Sequence, residues 1–191
     1  MRWLILYTRS RQVPASAVAV LAVALAAWVC NQGGGQGATD LGTTALVLTA
    51  MVAAGSVGLD GRDAVLERTA AIRWMPRRAA HVLLIGAVTG AALLAAQAMG
   101  AELAPVEVVV RDGVGLAGLA ALGAVLCGAP FAWTLPTGWL AFTVLVPPMS
   151  GTAGEVASWM IFPADTAPST GTALALLVTG TAWYGAAGPR R

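Results

Sequence analysis

The sequence predicts an all-α membrane protein with six transmembrane helices in one domain. Of its 191 residues, 58% are hydrophobic and 10% are charged, whereas a soluble domain carries about 25% charged residues. The mean hydropathy is +0.75. The apolar residues are gathered in runs of about 20, the length that a helix needs to cross the hydrocarbon core of a bilayer. The net charge of +2 gives no reason to expect a nucleic-acid partner.

The six predicted spans form a single transmembrane domain over residues 1–191. The fifth is the weakest, because Leu135–Val146 is too short to cross as a straight helix without its flanks. Pro136 and Pro147 bracket that run. The spans are predicted at residues 12–30, 41–59, 79–99, 114–133, 135–148 and 171–185.

Two segments outside the spans have a membrane-associated interpretation. Residues 1–11 combine arginines with a small apolar patch, which favours a short amino-terminal interfacial helix; a disordered basic terminus is the other interpretation. Residues 149–170, before the sixth span, are half apolar and predict a re-entrant segment on the outer face. Non-helical backbone at membrane depth needs protein or water cover, so a plain surface loop is the alternative.

The arginines predict the orientation. All eleven basic residues are Arg, and cytoplasmic loops carry the Arg excess. Six crossings with both termini in the cytoplasm place ten of these eleven arginines on the cytoplasmic side. Only Arg111 falls outside, beside Asp112 as a neutralising neighbour. The absence of Lys and the abundance of Ala, Gly and Val are typical of a GC-rich bacterial genome, so we expect a bacterial cytoplasmic (inner) membrane.

The segment Asp60–Arg78 is the longest charged stretch between spans. It holds eight of the twenty charged residues. Apolar residues recur in it at spacings of three and four, which predicts one face of an amphipathic helix on the cytoplasmic side. Trp74 sits where a membrane interface is expected, and Pro76 is predicted to end the helix, because residue 75 is disfavoured in helical geometry. Such a helix either docks on a soluble partner or only lies at the interface.

This layout resembles the permease of type-2 ABC exporters. In that family the loop after span two often carries an L-E pair and a later Pro-x-x-Arg; here Leu66-Glu67 is followed by Pro76-Arg77-Arg78. The family pattern also has a Gly shortly before the L-E pair. This chain departs from it, because Gly61 lies five residues ahead of Leu66. The resemblance implies a coupling helix that seats in a separate nucleotide-binding ATPase subunit and a second permease as a further partner. The partner-binding residues it implies are Arg62, Leu66, Glu67, Arg68, Arg73 and Trp74.

The sequence lacks the residues for chemistry of its own. A phosphate-binding loop requires a Lys, and the chain has none, so ATP and Mg²⁺ are expected in the partner and no cofactor in this chain. His81, Cys30 and Cys127 do not have metal-ligand spacing. We therefore expect no catalytic or metal site and no enzyme activity. The six predicted spans contain no Asp, Glu or Arg, which disfavours an ion-driven carrier. An accessory or regulatory membrane subunit is the alternative function.

Overall fold

The computed structural model describes residues 13–31, 41–59, 74–100, 103–147 and 149–190, and the elements in these ranges are helices and turns. The prediction of an all-α protein is thereby confirmed for them. The helices are α1 (Val13–Asn31), α2 (Leu41–Ser56), α3 (Trp74–Ala98), α4 (Val106–Leu126), α5 (Thr134–Leu145), α6 (Thr152–Ala157) and α7 (Ala167–Ala187). Short 3₁₀ turns lie at Val57–Leu59, Ala129–Phe131 and Trp159–Ile161.

Three of the described helices are long and apolar enough to cross a membrane. They are Leu41–Leu59, Trp74–Ala98 and Val106–Leu126, and Ser16–Val29 in α1 is a shorter apolar helix. The chain is therefore compatible with a membrane protein, and the number of six spans stays a prediction. α5 has twelve residues and is about 18 Å long at 1.5 Å per residue, short of the roughly 30 Å hydrocarbon core.

The third span begins earlier than predicted. α3 starts at Trp74 rather than Ala79 and continues without interruption for 25 residues. The prediction that Pro76 ends a preceding helix was wrong. Pro76 lies in the first turn of α3, where the missing N–H has no helical partner to lose.

The fourth span is shifted towards the amino terminus by about two turns. α4 runs from Val106 to Leu126, whereas residues 114–133 were predicted. Pro105 precedes its first residue in an extended conformation (ψ 149°). The pair Arg111-Asp112, predicted to lie in an outer loop, is inside this helix and buried. The sixth predicted span is also longer, because α7 begins at Ala167 with Pro168 in its first turn.

Polar contacts place the helix ends at two opposite ends of the bundle. At one end, the Tyr184 hydroxyl of α7 donates to the Leu59 carbonyl after α2 (3.0 Å), and the Arg190 N–H donates to the Ala124 carbonyl of α4 (3.0 Å). At the other end, the Trp28 indole N–H of α1 donates to the Met99 carbonyl after α3 (3.0 Å). Successive long helices α1 to α4 therefore alternate in direction, and α7 is parallel to α4.

Glycines bring α4 and α7 into backbone contact. A Cβ placed at Gly118 would lie 2.5 Å from the Leu177 Cα, and one placed at Gly180 would lie 2.7 Å from the Gly118 carbonyl carbon. Side chains larger than hydrogen are therefore excluded at this crossing. Small residues of this kind let membrane helices pack through van der Waals contact, which drives association in lipid.

We predict that Gly180→Ala destabilises the protein by about 1–3 kcal/mol, because the new methyl group overpacks the α4–α7 crossing. The matched control is Gly171→Ala in the same helix, where a Cβ has open space and the gain in helix propensity is about 0.5–1 kcal/mol. Thermal unfolding in detergent micelles, followed by circular dichroism, checks both variants. Equal shifts of the unfolding temperature in the two variants would contradict close packing at Gly180.

Candidate functional site

The first turns of α3 carry a basic and aromatic cluster. The Arg77 guanidinium carbon lies 5.8 Å from the centroid of the Trp74 ring, within cation–π range. Arg77 is exposed and Trp74 is half-buried. Trp74 is the one predicted partner-binding residue that the structure describes. It stands at the start of a membrane-length helix rather than in a separate amphipathic helix.

The remaining predicted partner-binding residues lie outside the described residues. Their roles, and the amphipathic helix that they were predicted to form, therefore stay predictions. The same holds for the interfacial helix predicted over residues 1–11. The predicted residues concerned are Arg62, Leu66, Glu67, Arg68 and Arg73.

The end of α7 packs against this cluster. Gly188 has a positive φ of 72°, and a Cβ there would lie 2.7 Å from Arg78 Nη1. One turn earlier, a Cβ at Gly185 would lie 3.3 Å from the Met75 Cγ. Together with the hydrogen bond from Tyr184 to Leu59, these contacts join α3 and the chain after α2 to α7. Both described flanks of the 60–73 segment are thus held by the same helix.

A buried ion pair lies near the opposite end of the bundle. Arg111 Nε donates to Asp112 Oδ1 at 2.8 Å. Arg111 is 5% exposed and Asp112 is fully buried. The other guanidinium nitrogens donate to the carbonyls of Pro163 (Nη1, 2.9 Å) and Phe162 (Nη2, 2.8 Å). One arginine thus binds its neighbouring carboxylate and two backbone carbonyls of the segment that precedes α7.

The same segment is packed into the bundle beside the ion pair. Trp159 and Met160 are fully buried, and a Cβ at Gly115 would lie 2.6 Å from the Trp159 ring. The Trp139 indole N–H of α5 donates to the Ala157 carbonyl (2.8 Å), and the Ser169 hydroxyl donates to the Glu155 carbonyl (3.1 Å). Side chains of α4, α5 and α7 therefore hold residues 155–163 in place.

Sequence reasoning paired Arg111 with Asp112 but assigned the dipeptide to an outer loop, so it missed the burial of the pair within α4. The statement that the spans contain no Asp, Glu or Arg was wrong, since Arg111 and Asp112 belong to α4. The argument against an ion-driven carrier loses its basis with it. A usable signal was present: the run from Val106 to Leu126 is a single apolar helix if the adjacent opposite charges are counted as neutral.

Cys127 and His81 show no metal-site geometry among the described residues. No group of three or more His, Cys, Asp or Glu side chains there could hold a metal ion. Cys127 follows α4 with a free and exposed thiol. His81 lies half-buried in α3, one turn after Arg77.

We predict that Arg111→Met destabilises the protein by about 3–5 kcal/mol, because it leaves the Asp112 carboxylate buried without its counter-charge. The double variant Arg111→Met with Asp112→Leu recovers part of this loss, since no charge stays buried. Arg190→Met is the control, because Arg190 is exposed and a surface change costs about 0.5 kcal/mol or less. Unfolding in detergent is the measurement. A double variant no more stable than the single one would contradict the ion-pair argument.

A comparison of this chain with protein-family models, curated protein sequences and solved structures finds no match. A fold of packed helices does not imply a function. Any functional conclusion therefore depends on the residues and contacts of this chain.

Proposed function

We propose that this chain is the transmembrane permease subunit of an ATP-driven exporter, coupled through residues 60–78 to a separate ATPase chain. In this proposal the ATPase binds and hydrolyses ATP with Mg²⁺. A second permease, identical or related, completes the transport pathway. The chain itself is not an enzyme in this proposal. It lies in a bacterial cytoplasmic membrane with six spans and both termini in the cytoplasm.

The observation that carries the proposal is the connection between the charged segment and the bundle. The residue after the segment, Trp74, is the first residue of the 25-residue helix α3, so the segment is joined directly to that helix through the backbone. The residue before the segment is Leu59, whose carbonyl accepts a hydrogen bond from the Tyr184 hydroxyl of α7. A partner that moved residues 60–73 would therefore act on α2, α3 and α7 together, as a coupling segment requires.

The distribution of charge supports the proposed orientation. Arg77, Arg78 and Arg190 lie at the end of the bundle where the 60–73 segment is attached, and Glu107 and Asp165 lie near the opposite end, at the amino-terminal ends of α4 and α7. An excess of Arg marks the cytoplasmic side. The packed segment 155–163 then faces outward, where its hydrogen bonds to α5 and α7 provide the protein cover that a re-entrant segment needs.

The exposed apolar side of α1 supports a lipid or permease neighbour. Val18, Leu21, Leu25 and Val29 are each more than half exposed. Their spacing of three and four residues places them on one helical face. In the proposed dimer this face contacts lipid or the second permease.

The orientation is tested with reporters. A reporter fused after Arg191 is expected to read cytoplasmic, and one inserted after Gly100, between α3 and α4, is expected to read external. The expectation follows from an even number of crossings and from the Arg excess at one end. Alkaline phosphatase and green fluorescent protein fusions measure the two sides. An external signal after Arg191 would remove the six-span orientation.

The partner is tested by co-purification with a candidate ATPase, namely one that has a phosphate-binding loop and is encoded beside this chain. Glu67→Arg with Arg68→Glu preserves the net charge and reverses the local pattern. We expect at least a tenfold loss of retained ATPase, because charges across a docking surface set its register. Glu107→Arg is the control, since Glu107 is exposed at the opposite end.

Retention of the ATPase by the reversed variant, with unchanged ATP hydrolysis by the complex, would show that residues 60–78 are not the docking site. Loss of binding in Glu107→Arg to the same extent would point to a general defect in the membrane subunit. Retention of the ATPase by the wild-type chain, together with a rate of ATP hydrolysis that differs between the complex and the ATPase alone, supports the permease assignment.

An accessory membrane subunit is the second candidate, and one observation favours it. Two of the buried polar side chains in α2 and α3 are bonded to their own helices: Ser56 donates to Ala53 (2.7 Å) and Thr89 donates to Ile85 (2.9 Å). The single O–H donor of each group is thus already used within its own helix. An ATPase that binds the chain but hydrolyses ATP at the same rate alone and in the complex would favour this candidate.

A further inference from the structure

An open groove runs between α1 and α3 in the half of the bundle that carries the basic cluster. Its volume is about 110 Å³, and apolar atoms form nearly all of its surface. Ala17 and Val20 of α1 form one wall, Leu84 and Val88 of α3 form the other, and Gly55 of α2 lies at its floor. Leu84 and Val88 are 51% and 43% exposed, so the groove opens to the surroundings of the bundle.

The groove has one polar end, and that end points towards the basic cluster. Ser16 and His81 also line it, and both belong to the first turns of their helices. His81 is four residues after Arg77 and seven residues before Val88, so these side chains lie on one face of α3. From His81 to Thr89 the groove follows α3 for about 12 Å at 1.5 Å per residue. A cation therefore precedes an apolar channel along a single helix face.

We propose that this groove binds one anionic phospholipid of the surrounding leaflet, with its phosphate at Arg77 and His81 and one acyl chain in the groove. Basic pockets between membrane helices on the cytoplasmic side recognise anionic lipid headgroups. An arginine binds phosphate through paired, charge-assisted hydrogen bonds. The exposed Arg77 guanidinium lies 5.8 Å from the centroid of the Trp74 ring, and Trp side chains are enriched where headgroups meet the hydrocarbon.

Three features of the groove select this occupant over others. The apolar lining favours an acyl chain over a polar solute, because burial of each methylene is favourable. The lateral opening at Leu84 and Val88 admits a chain from the bilayer rather than from water. The cationic end favours a net negative headgroup over a zwitterionic one, whose own ammonium group offsets the attraction of Arg77. This inference does not depend on the proposed ATPase partner.

The inference is tested by native mass spectrometry of the purified full-length chain. Phosphatidylglycerol and phosphatidylcholine with identical acyl chains are added separately to the detergent-solubilised protein. We expect one phosphatidylglycerol to be retained per chain, about tenfold more tightly than phosphatidylcholine, since loss of a charge-assisted contact corresponds to about that factor.

Matched variants separate the headgroup contact from surface charge. Arg77→Gln is expected to reduce phosphatidylglycerol retention by about tenfold. Arg190→Gln changes the net charge equally at the same end of the bundle but away from the groove, and is expected to leave retention unchanged. Equal losses in the two variants would show that only general electrostatic attraction acts, and would overturn the proposal.

A second pair of variants tests the acyl-chain position. Leu84→Ala removes a groove wall, whereas Leu83→Ala removes a side chain of nearly equal exposure, 49%, that does not line the groove. We expect a several-fold loss of retention only for Leu84→Ala. Ala17→Leu fills the groove and is expected to act in the same way, with Ala22→Leu on the exposed side of α1 as control. Unchanged retention in Leu84→Ala and Ala17→Leu, or equal retention of both lipids by the wild type, would overturn the proposal.

Discussion

The hydrogen bonds of the Arg111 guanidinium are the contacts on which one end of the bundle depends. This end lies opposite the basic cluster, within the part of the chain that the structure describes. The three donor nitrogens of Arg111 bind a carboxylate on the same helix and two backbone carbonyls fifty residues later in the chain. A buried charge is costly unless it is paired and its remaining donors are satisfied. Here a single side chain meets both requirements, and in doing so it positions the segment that places Trp159 against α4.

The packing of Trp159 requires a helix without side chains at the point of contact. Gly115 provides the space for the indole ring, and Gly118, one turn later, allows the backbone of α7 to approach. Arg111, Gly115 and Gly118 follow one another at intervals of four and three, so they lie on one face of α4. The ion pair and the glycines are thus parts of one interface: the first holds the segment, and the second leaves room for it.

The basic end of the bundle is organised around α7. Its last turns contact the start of α3, and its Tyr184 hydroxyl donates to the Leu59 carbonyl after α2. The chain after α7 returns to the end of α4 through the Arg190 N–H. Four elements therefore converge on one region. This convergence ties the described residues on both sides of the 60–73 segment to α7.

The sequence by itself determined the class of the protein. Low charge and long apolar runs are typical of a helical membrane protein, in which helices satisfy the backbone hydrogen bonds because lipid offers none, and α2 was predicted at nearly its observed bounds. The start of α3 and the extent of α4 were misplaced, because on local grounds Pro76 was interpreted as the end of a helix and the Arg111-Asp112 dipeptide as part of an outer loop.

Only the tertiary structure decided these two cases. A proline in a first turn removes no helical hydrogen bond, so its effect depends on where the helix begins. An adjacent Arg and Asp are stable in an apolar helix only if the other guanidinium donors find acceptors, and those acceptors are the carbonyls of Phe162 and Pro163. Contacts between residues that are fifty positions apart are not encoded in local composition. The buried charge pair, and the face of α4 that surrounds it, therefore depend on the folded chain.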